Sequence, residues 1–297
     1  MKIVFFNGGL ANQVFQYIFY RYGQISSPEE DWYLDDSFFF AHKIHNGYEL
    51  ERVFGIRPNL LSEYFDTEVW EYMIDLKINQ NKSIPQILVD NDAAIRMISE
   101  TSNWSEWNPF DGEKTLLYKQ HSYDSSIVRL PGDIYYHGYW ITNDWFKAIE
   151  STIRAELTFP EIEKTDIVNN EYLKEIRETR SCSIHIRRGD FADMGIAITD
   201  EMCVTHVKTV LQNVPDLTLF VFSDDLPYCR AHSHEMGLDL PKRTIYVEGN
   251  SGERAFRDLQ LMSECKYMIN GNSSFCYLAA ILNRDRWGIF NASTYKL

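Results

Sequence analysis

The chain has 297 residues, of which 44% are hydrophobic, 14% aromatic and 24% charged, a composition typical of globular proteins rather than disordered or membrane-embedded ones. Its length predicts two domains of ordinary size. The formal net charge of −14 argues against nucleic acid or an anionic membrane as a partner, since either requires a positive field. An anionic ligand must therefore be bound by a local group of cations.

The N-terminal half begins as a strand, a turn and a helix. Residues 2–6 read as a buried strand, and Asn7, Gly8 and Gly9 form a tight turn into a helix predicted at 11–23. The turn could hold an anion at the helix N-terminus, but it lacks the GxGxxG spacing and no GK[ST] follows. A simple strand-to-helix turn is the alternative.

Shorter patterns predict the remaining elements of this half, and an aromatic cluster follows its last strand. Strands are expected at 31–35, 115–120 and 133–139, and helices at 48–54, 63–73, 90–99 and from the aromatic cluster to about 157. The clustered rings could stack on sugar faces or simply form core. They are Tyr135, Tyr136, Tyr139, Trp140, Trp145 and Phe146.

Pro160 and the charged stretch 161–166 mark a domain boundary predicted near residue 160. Strands that alternate with helices beyond it predict a parallel, doubly wound sheet, so the fold class is α/β. The predicted domains are 1–160 and 161–297, and the last residues could pack back on the first domain. The strands are expected from 181 and at 217–222, 245–247 and 267–270, and the helices at 167–177, 200–210, 252–264 and 275–282.

The stretch SCSIHIRRGDF at 181–191 carries the strongest candidate site. Polar and apolar residues alternate strictly, which predicts a half-buried strand. It delivers His185, Arg187 and Arg188 to its C-terminal end, where ligands bind in open α/β sheets. Guanidinium groups match phosphate oxygens bidentately and stay charged, so these arginines suit a diphosphate. A surface pair of arginines neutralised by Asp190 is the structural alternative.

Two further strand ends carry polar side chains suited to a nucleotide. Asp224 and Asp225 follow the strand at 217–222, and the turn Asn272-Ser273-Ser274 offers hydroxyls and helix amides to a phosphate. The two carboxylates are the only candidate metal ligands, because no flanked DxD motif and no His or Cys pair at ligand spacing occurs. No metal is therefore predicted.

The cysteines and the N-terminal residues indicate a cellular compartment. The five cysteines are odd in number, form no CxxC pair and mostly lie in apolar runs, so we expect them to be reduced and buried. Six residues before the first polar turn are too few for a signal sequence or a membrane span. A cytoplasmic protein, at most peripherally associated with membranes, is expected. The cysteines are Cys182, Cys203, Cys229, Cys265 and Cys276.

Five stretches of the chain, in order between about residues 7 and 282, resemble the motifs of one enzyme family. GGLANQVFQY resembles GGLGNQMFQYA, HGYW resembles GYWQ, HIRRGDF resembles HxRRGDY, FSDD matches FSDD, and DLQLMSECKYMINGNSSFCYLAAIL resembles D-x-x-LM…NSSFS-x-x-AA-x-L. The family is that of the bacterial α-1,2-fucosyltransferases, inverting enzymes that transfer L-fucose from GDP-β-L-fucose to a galactose 2-hydroxyl. Ala11, Phe191 and Cys276 are departures from its pattern, and Ile141 replaces a glutamine that could touch the acceptor.

The resemblance implies a GT-B architecture, with two facing α/β domains, the first on the acceptor side and the second binding GDP-fucose. It also implies a metal-independent reaction, in which Arg187 stabilises the charge on the leaving diphosphate. Gly9 would bind the donor, and Asn12 would approach the same phosphate or the acceptor hydroxyl. Asp190 is the nearest carboxylate that could take the acceptor proton, and locking Arg188 is its alternative role.

The same resemblance implies the remaining donor contacts. Asp258 lies 16 residues before Ser274, as the guanine-binding aspartate precedes the phosphate-binding serine in the wider superfamily, so Asp258 is assigned to base recognition. Asp224 would bind either the nucleotide or the turn around it. The other residues implied in donor binding are His185, Arg188, Asn272, Ser273, Ser274 and Phe275.

The expected function is that of a galactoside α-1,2-fucosyltransferase in bacterial surface polysaccharide synthesis, for example of O-antigen. Its partners would be GDP-fucose and a galactose-terminated oligosaccharide, with no cofactor besides the donor and no nucleic acid. A fucosyltransferase of another linkage, or a transferase using a different GDP-sugar, stays open. A carbohydrate-binding protein without catalysis would explain the aromatic residues but not the arginine-bearing strand end. The acceptor and the oligomeric state do not follow from the sequence.

Overall fold

The computed structural model describes residues 1–43, 45–101, 115–285 and 287–291. Contacts divide the chain into two compact units, Met1–Thr158 and Phe159–Leu297. Each unit contains a five-stranded sheet whose neighbouring strands all run parallel. The predicted α/β class, with two Rossmann-like parallel sheets as in a GT-B enzyme, is confirmed. The division of acceptor and donor between the units stays a prediction, and the last residues, 292–297, lie outside the described part.

The first unit has the strand order β2-β1-β5-β3-β4, which places the loops after β1 and β5 side by side. Carboxyl ends of parallel strands meet at one edge, so both motif loops of this unit lie at that edge. The strands are β1 (Lys2–Phe5), β2 (Trp32–Asp35), β3 (Arg96–Thr101), β4 (Thr115–Lys119) and β5 (Ile134–His137). The helices are α1 (Leu10–Ser26), α2 (Ser37–Ala41), α3 (Leu50–Phe54), α4 (Thr67–Gln80), α5 (Ile84–Asp90), α6 (Asn143–Ala148) and α7 (Glu150–Glu156).

The second unit has the strand order β8-β7-β6-β9-β10. β7 and β8 lie on one side of β6, and β9 and β10 lie on the other, so the topological switch point lies between β6 and β9. The strands are β6 (Ser181–Ile186), β7 (Thr218–Ser223), β8 (Arg243–Tyr246), β9 (Tyr267–Asn270) and β10 (Gly288–Asn291). The helices are α8 (Ile167–Glu178), α9 (Gly189–Asp193), α10 (Asp200–Asn213), α11 (Leu226–Ala231), α12 (Phe256–Glu264) and α13 (Ser274–Leu282).

The prediction that the strand beginning at residue 181 is half-buried is wrong. All six residues of β6 are buried, because β6 is the central strand and pairs with β7 on one side and β9 on the other. Its polar residues are accommodated by specific contacts, such as the hydroxyl of Ser181, which accepts a hydrogen bond from the Lys266 amide at 3.1 Å. Central strands of parallel sheets are buried on both faces, whatever their polar alternation suggests.

The predicted helix at 90–99 is also wrong, because that segment ends in a strand. β3 lies between β4 and β5 and pairs with both. A short run of apolar residues does not distinguish a helix from a buried strand, and here two neighbouring strands supply the backbone partners. The helix predicted up to about residue 157 is divided into α6 and α7, and β10 was not predicted.

The aromatic cluster forms the core of the first unit. Phe19 of α1 stacks on Trp140, with ring centroids 4.1 Å apart and an interplanar angle of 11°. Trp32 stacks in the same way on Tyr136, with centroids 5.5 Å apart. Five of the six clustered aromatic residues are buried, so for them the core interpretation holds and no face is available to a sugar: Tyr135, Tyr136, Trp140, Trp145 and Phe146.

The five cysteines are all free and buried, as predicted. Burial raises the pKa of the Cys276 thiol to about 11, so this residue is a protonated core side chain at neutral pH. Within the described residues, no helix is both long and apolar enough to cross a membrane.

Candidate active site

The predicted donor site gathers at the carboxyl ends of β6, β7 and β9, which are adjacent in the sheet. Three loops follow these strands, at 187–188, 224–225 and 271–273. The first loop lies between the other two because β6 is paired on both sides. The sheet therefore places the arginines between the aspartates of one loop and the Asn-Ser-Ser turn of the other, at the switch point.

Asp224 holds the turn that carries both arginines. Its Oδ1 accepts a hydrogen bond from the backbone amide of Arg188 at 2.8 Å, and its Oδ2 lies 2.9 Å from Nη1 of Arg187. A Cβ atom at position 189 would lie 2.8 Å from the same Oδ2, so Gly189 leaves the space that this carboxylate occupies. Of the two roles predicted for Asp224, the structure shows the one in the turn.

Arg187 is held by two carboxylates. Besides the contact with Asp224, its Nε donates to Oδ1 of Asp190 at 2.9 Å. The alternative in which Asp190 locks Arg188 is wrong, since the ion pair is made by Arg187. The Arg187 side chain is 31% exposed, and no hydrogen bond to another described residue engages its Nη2. It is thus oriented and still able to donate toward a ligand.

Arg188 points to a different partner, so the two arginines do not act as a simple pair. Its guanidinium carbon lies 3.4 Å from the centre of the Tyr228 ring, a cation-π contact with α11. The Tyr228 hydroxyl donates to Asp200 at 3.1 Å. Nε of Arg188 is buried and has no hydrogen-bond partner among the described residues. Sequence analysis missed Tyr228, because a tyrosine in a short helix carries no signal of this contact.

His185 and Phe275 face each other across the switch point, with ring centroids 5.4 Å apart. Burial lowers the pKa of His185 to about 4, so the imidazole is neutral at physiological pH. Its Nδ1 is buried and has no hydrogen-bond partner among the described residues. A neutral ring with an unused nitrogen suits a hydroxyl or an amide of a ligand better than it suits proton transfer near neutral pH.

The turn after β9 uses its side chains to hold itself in place. The Ser273 hydroxyl accepts the Phe275 amide at 3.2 Å and so caps α13. The Asn272 amide donates to the carbonyl of Ile196, which ties the turn to the loop after α9. Ser274 is the first residue of α13, at the positive end of the helix dipole, which favours an anion. Asn272 and Ser273 thus shape the candidate phosphate site in this structure.

Asp258 lies apart from this cluster. It belongs to the first turn of α12, and its Oδ1 accepts a hydrogen bond from Asn250 at 2.8 Å. Burial raises the pKa of Asp258 to about 7, and the Asn250 hydrogen bond opposes that rise. No hydrogen bond or ion pair joins it to the arginine turn within the described residues. It shares the same edge of the sheet, because α12 follows the carboxyl end of β8.

The glycine-rich motif of the first unit forms a tight turn after β1. Gly8 adopts φ 77°, and a Cβ atom there would lie 2.8 Å from Nδ2 of Asn12. Gly9 is the N-cap of α1. The buried amide of Gln13 donates to the carbonyls of Gly8 and Gly47, both at 2.8 Å. Sequence analysis missed Gln13, which fixes the loop that carries Asn12.

Glu100 holds the HGYW loop of the same unit. Its Oε2 accepts the backbone amides of Tyr139 and Trp140 at 2.8 and 2.9 Å. Trp140 is buried in the left-handed region with φ 57°, a conformation that a tryptophan rarely adopts. Glu100 directly follows the segment predicted as a helix at 90–99 and lies in β3, so its contact with the HGYW loop was not predicted.

The profile of glycosyl transferase family 11 matches residues 4–293. The chain belongs to this family. The family 11 chain is 26% identical, over 97% of its own length and 89% of the relative's, to an alpha-1,2-colitosyltransferase of Escherichia coli. It is therefore a glycosyltransferase, and the interpretation as a non-catalytic carbohydrate-binding protein is not retained.

Two solved structures are also similar to the family 11 enzyme. The fucosyltransferase NodZ from Bradyrhizobium is 13% identical and aligns over 95% of this chain and 91% of its own, with a TM-score of 0.48. A FUT1 variant of Arabidopsis thaliana in complex with GDP is 12% identical and aligns over 95% of this chain and 68% of its own, with a TM-score of 0.49.

Replacing Asp224 with Ala is expected to lower turnover of the enzyme by about 10-fold or more, because hydrogen bonds to charged groups contribute roughly 1.5 to 3 kcal/mol. The substitution removes the ion pair with Arg187 and the acceptor for the Arg188 amide. Steady-state kinetics with the donor sugar measures the change.

Asp225→Ala is the matched control, since the Asp225 side chain caps α11 through the Tyr228 amide at 3.1 Å. It should lower the free energy of unfolding by about 1 kcal/mol and leave turnover within a few-fold of wild type. Equal losses of turnover in the two variants would contradict the role assigned to Asp224.

Proposed function

We propose that this glycosyltransferase transfers L-fucose from GDP-β-L-fucose, with inversion, to the 2-hydroxyl of a terminal β-galactose. The observation that supports it most is an arginine oriented by two carboxylates at the switch point of the second sheet. The motifs of the α-1,2-fucosyltransferases surround this arginine in sequence, and the Escherichia coli relative forms an α-1,2 linkage by its name. We further expect a cytoplasmic enzyme of bacterial surface polysaccharide synthesis.

The arginine suits the charge that develops in this reaction. As the glycosidic bond breaks, negative charge grows on the β-phosphate and the fucosyl ring becomes oxocarbenium-like. A cation already in place stabilises that state more than the ground state, since it does not reorganise during the step. Asp190 and Asp224 hold the Arg187 guanidinium in one orientation, so these carboxylates preorganise its N–H groups for the phosphate.

The positions of further side chains support the other proposed contacts with the donor sugar nucleotide. The N-terminus of α13 follows β9, the strand next to β6, and the positive end of its helix dipole would favour a phosphate there. His185 is neutral, and its Nδ1 has no hydrogen-bond partner among the described residues, so it would form a hydrogen bond with the ribose or a phosphate. Asp258 would accept from the N1 proton and the 2-amino group of guanine.

On the acceptor side we assign Asn12, together with the glycine turn that Gln13 holds. Asp190 is engaged with Arg187, since its Oδ1 lies 2.9 Å from the Nε of the guanidinium. Its contact favours the positioning of Arg187 over removal of the acceptor proton. A dissociative transition state demands little basicity, so the reaction does not require a strong base.

A second donor is favoured by one observation, the identity of the Escherichia coli relative as a colitosyltransferase. Colitose is fucose without the 3-hydroxyl, so GDP-colitose would present the same guanine, diphosphate and 6-methyl group. Incubation with equal amounts of GDP-fucose and GDP-colitose and a panel of β-galactosides, followed by mass spectrometry and linkage analysis, decides between them. The fucose proposal is wrong if only the colitose product forms, and the linkage proposal is wrong if the new bond is not at the 2-hydroxyl.

Arg187→Ala is expected to lower turnover by roughly 100-fold or more, the scale of losing one preorganised oxyanion donor. Arg187→Lys should restore little of the loss, because an ammonium group supplies the charge without the fork. Single-turnover rates at saturating donor measure the chemical step. If the alanine variant kept near-native rates, the role would pass to Arg188 or to the first unit.

Metal removal is expected to leave the reaction intact. Within the described residues no three His, Cys, Asp or Glu side chains are grouped to hold a metal ion, and Asp224 is occupied by the arginine turn. Turnover measured with and without EDTA, followed by addition of Mg²⁺ or Mn²⁺, is the test. An absolute requirement for a divalent ion would assign a metal to Asp224 and Asp225 and contradict the role of Arg187.

Asp258→Ala is expected to abolish the preference of the enzyme for GDP over ADP, which in sites built on buried hydrogen bonds reaches about 10⁴-fold. Adenine presents an acceptor at N1 and has no 2-amino group, so it leaves the carboxylate unpaired. Calorimetric titration of both nucleotides into wild type and variant measures the preference. Wild-type affinity of the variant for GDP would place base recognition elsewhere.

A further inference from the structure

Two buried asparagines form a reciprocal amide pair beside Asp258. Nδ2 of Asn250 donates to Oδ1 of Asn169 at 2.8 Å, and Nδ2 of Asn169 donates to Oδ1 of Asn250 at 2.9 Å. The two residues are 9% and 1% exposed. The same Nδ2 of Asn250 also donates to Asp258. Because the pair uses both the donor and the acceptor of each amide, Asn250 has one orientation toward the carboxylate.

The pair is anchored at the start of α8. Nδ2 of Asn169 donates to Oδ2 of Asp166 at 2.8 Å, and the backbone amide of Asn169 donates to Oδ1 of Asp166 at 3.2 Å. Arg254 donates to the same Asp166 Oδ2 at 2.7 Å. The network therefore joins the start of α8, the loop after β8 and the first turn of α12. A buried polar network whose members are satisfied makes its surroundings rigid.

We propose that Asn250, held by Asn169, is a positioning residue that orients the Asp258 carboxylate for guanine. This inference rests on the proposed GDP-sugar function. The base offers two parallel N–H donors, so both carboxylate oxygens must lie in the plane of the ring. Asn250 fixes Oδ1 from one side, and Oδ2 has no hydrogen-bond partner among the described residues. The carboxylate is thus restrained in rotation and keeps acceptor capacity for the base.

Asn250 also keeps the carboxylate in the form that binds. Only the ionised group accepts two N–H donors, and burial opposes ionisation while the Asn250 hydrogen bond favours it. The charged groups around Asp258 are engaged elsewhere: Asp166 pairs with Arg254, and Arg257 donates to the carbonyls of Pro160 and Glu161. Removal of Asn250 therefore raises the pKa of Asp258, and recognition of guanine moves to higher pH.

The test compares the Kd of GDP with that of IDP by calorimetry between about pH 5.5 and about pH 8.5. IDP lacks only the 2-amino group, and its diphosphate is the same, so phosphate ionisation cancels in the ratio of the two Kd values. In wild type the preference for GDP should decrease as the pH falls through about 7, where Asp258 gains a proton. In Asn250→Ala the preference for GDP over IDP should be about 10-fold smaller at neutral pH. The pH at which half of the preference is lost should also be higher than in wild type.

Asn169→Ala should also lower the preference for GDP and raise the midpoint pH of its loss, but by less than Asn250→Ala. This substitution loosens Asn250 without removing its contact with Asp258. Asn170→Ala is the matched control, since the side-chain amide of Asn170 donates to the backbone carbonyls of Glu163 and Asp166 and to no other described residue. It should keep the wild-type preference and midpoint. Thermal melting checks that each variant folds. Should Asn250→Ala not fold, Asn250→Asp keeps the shape, places an acceptor opposite Asp258 and is expected to lose more preference.

Two failures are distinguishable. If Asp258→Ala retains the preference for GDP over IDP, base recognition by Asp258 is wrong and the inference falls with it. If Asp258→Ala loses the preference but Asn250→Ala keeps both the preference and its midpoint, base recognition stands and the inference about Asn250 is wrong.

Discussion

The candidate site depends on the way one carboxylate divides its two oxygens between backbone and side chain. Asp224 accepts the Arg188 amide with Oδ1 and pairs with Arg187 through Oδ2. The first contact sets the path of the chain after β6, and the second sets the direction of the guanidinium. A Cβ atom at position 189 would lie 2.8 Å from Oδ2, so a side chain there would crowd the second contact. The turn, the glycine and the cation therefore form one structural unit.

The sequence was most informative where chain order alone determines the structure. Alternating strands and helices predicted parallel sheets, and parallel pairing brings strand ends together without any knowledge of side-chain contacts. This is why His185, Arg187 and Asp224 could be placed at one edge in advance. The bounds of β9 were predicted without error, since Tyr267–Asn270 is short, apolar and followed by a polar turn.

Contacts between residues distant in sequence could not be predicted. Nothing in the stretch around Glu100 indicates that its carboxylate accepts two amides from a loop about 40 residues later. The same is true of Tyr228 beneath Arg188, and of the amide pair between Asn169 and Asn250. The wrong prediction of a helix at 90–99 has the same origin. Pairing with the neighbouring strands β4 and β5, rather than local periodicity, determines the structure of β3.

Under the proposed function, the two carboxylates beside Arg187 also bear on product release after sugar transfer. A cation without partners would bind the released nucleoside diphosphate tightly, and each cycle would then wait for the product to dissociate. Here the guanidinium already has Asp190 and Asp224 as counterions, so departure of the diphosphate leaves no bare charge in the site. The free energy of the empty site is lowered by these pairs, so under the proposed function the same residues that orient the arginine would also favour rapid product release.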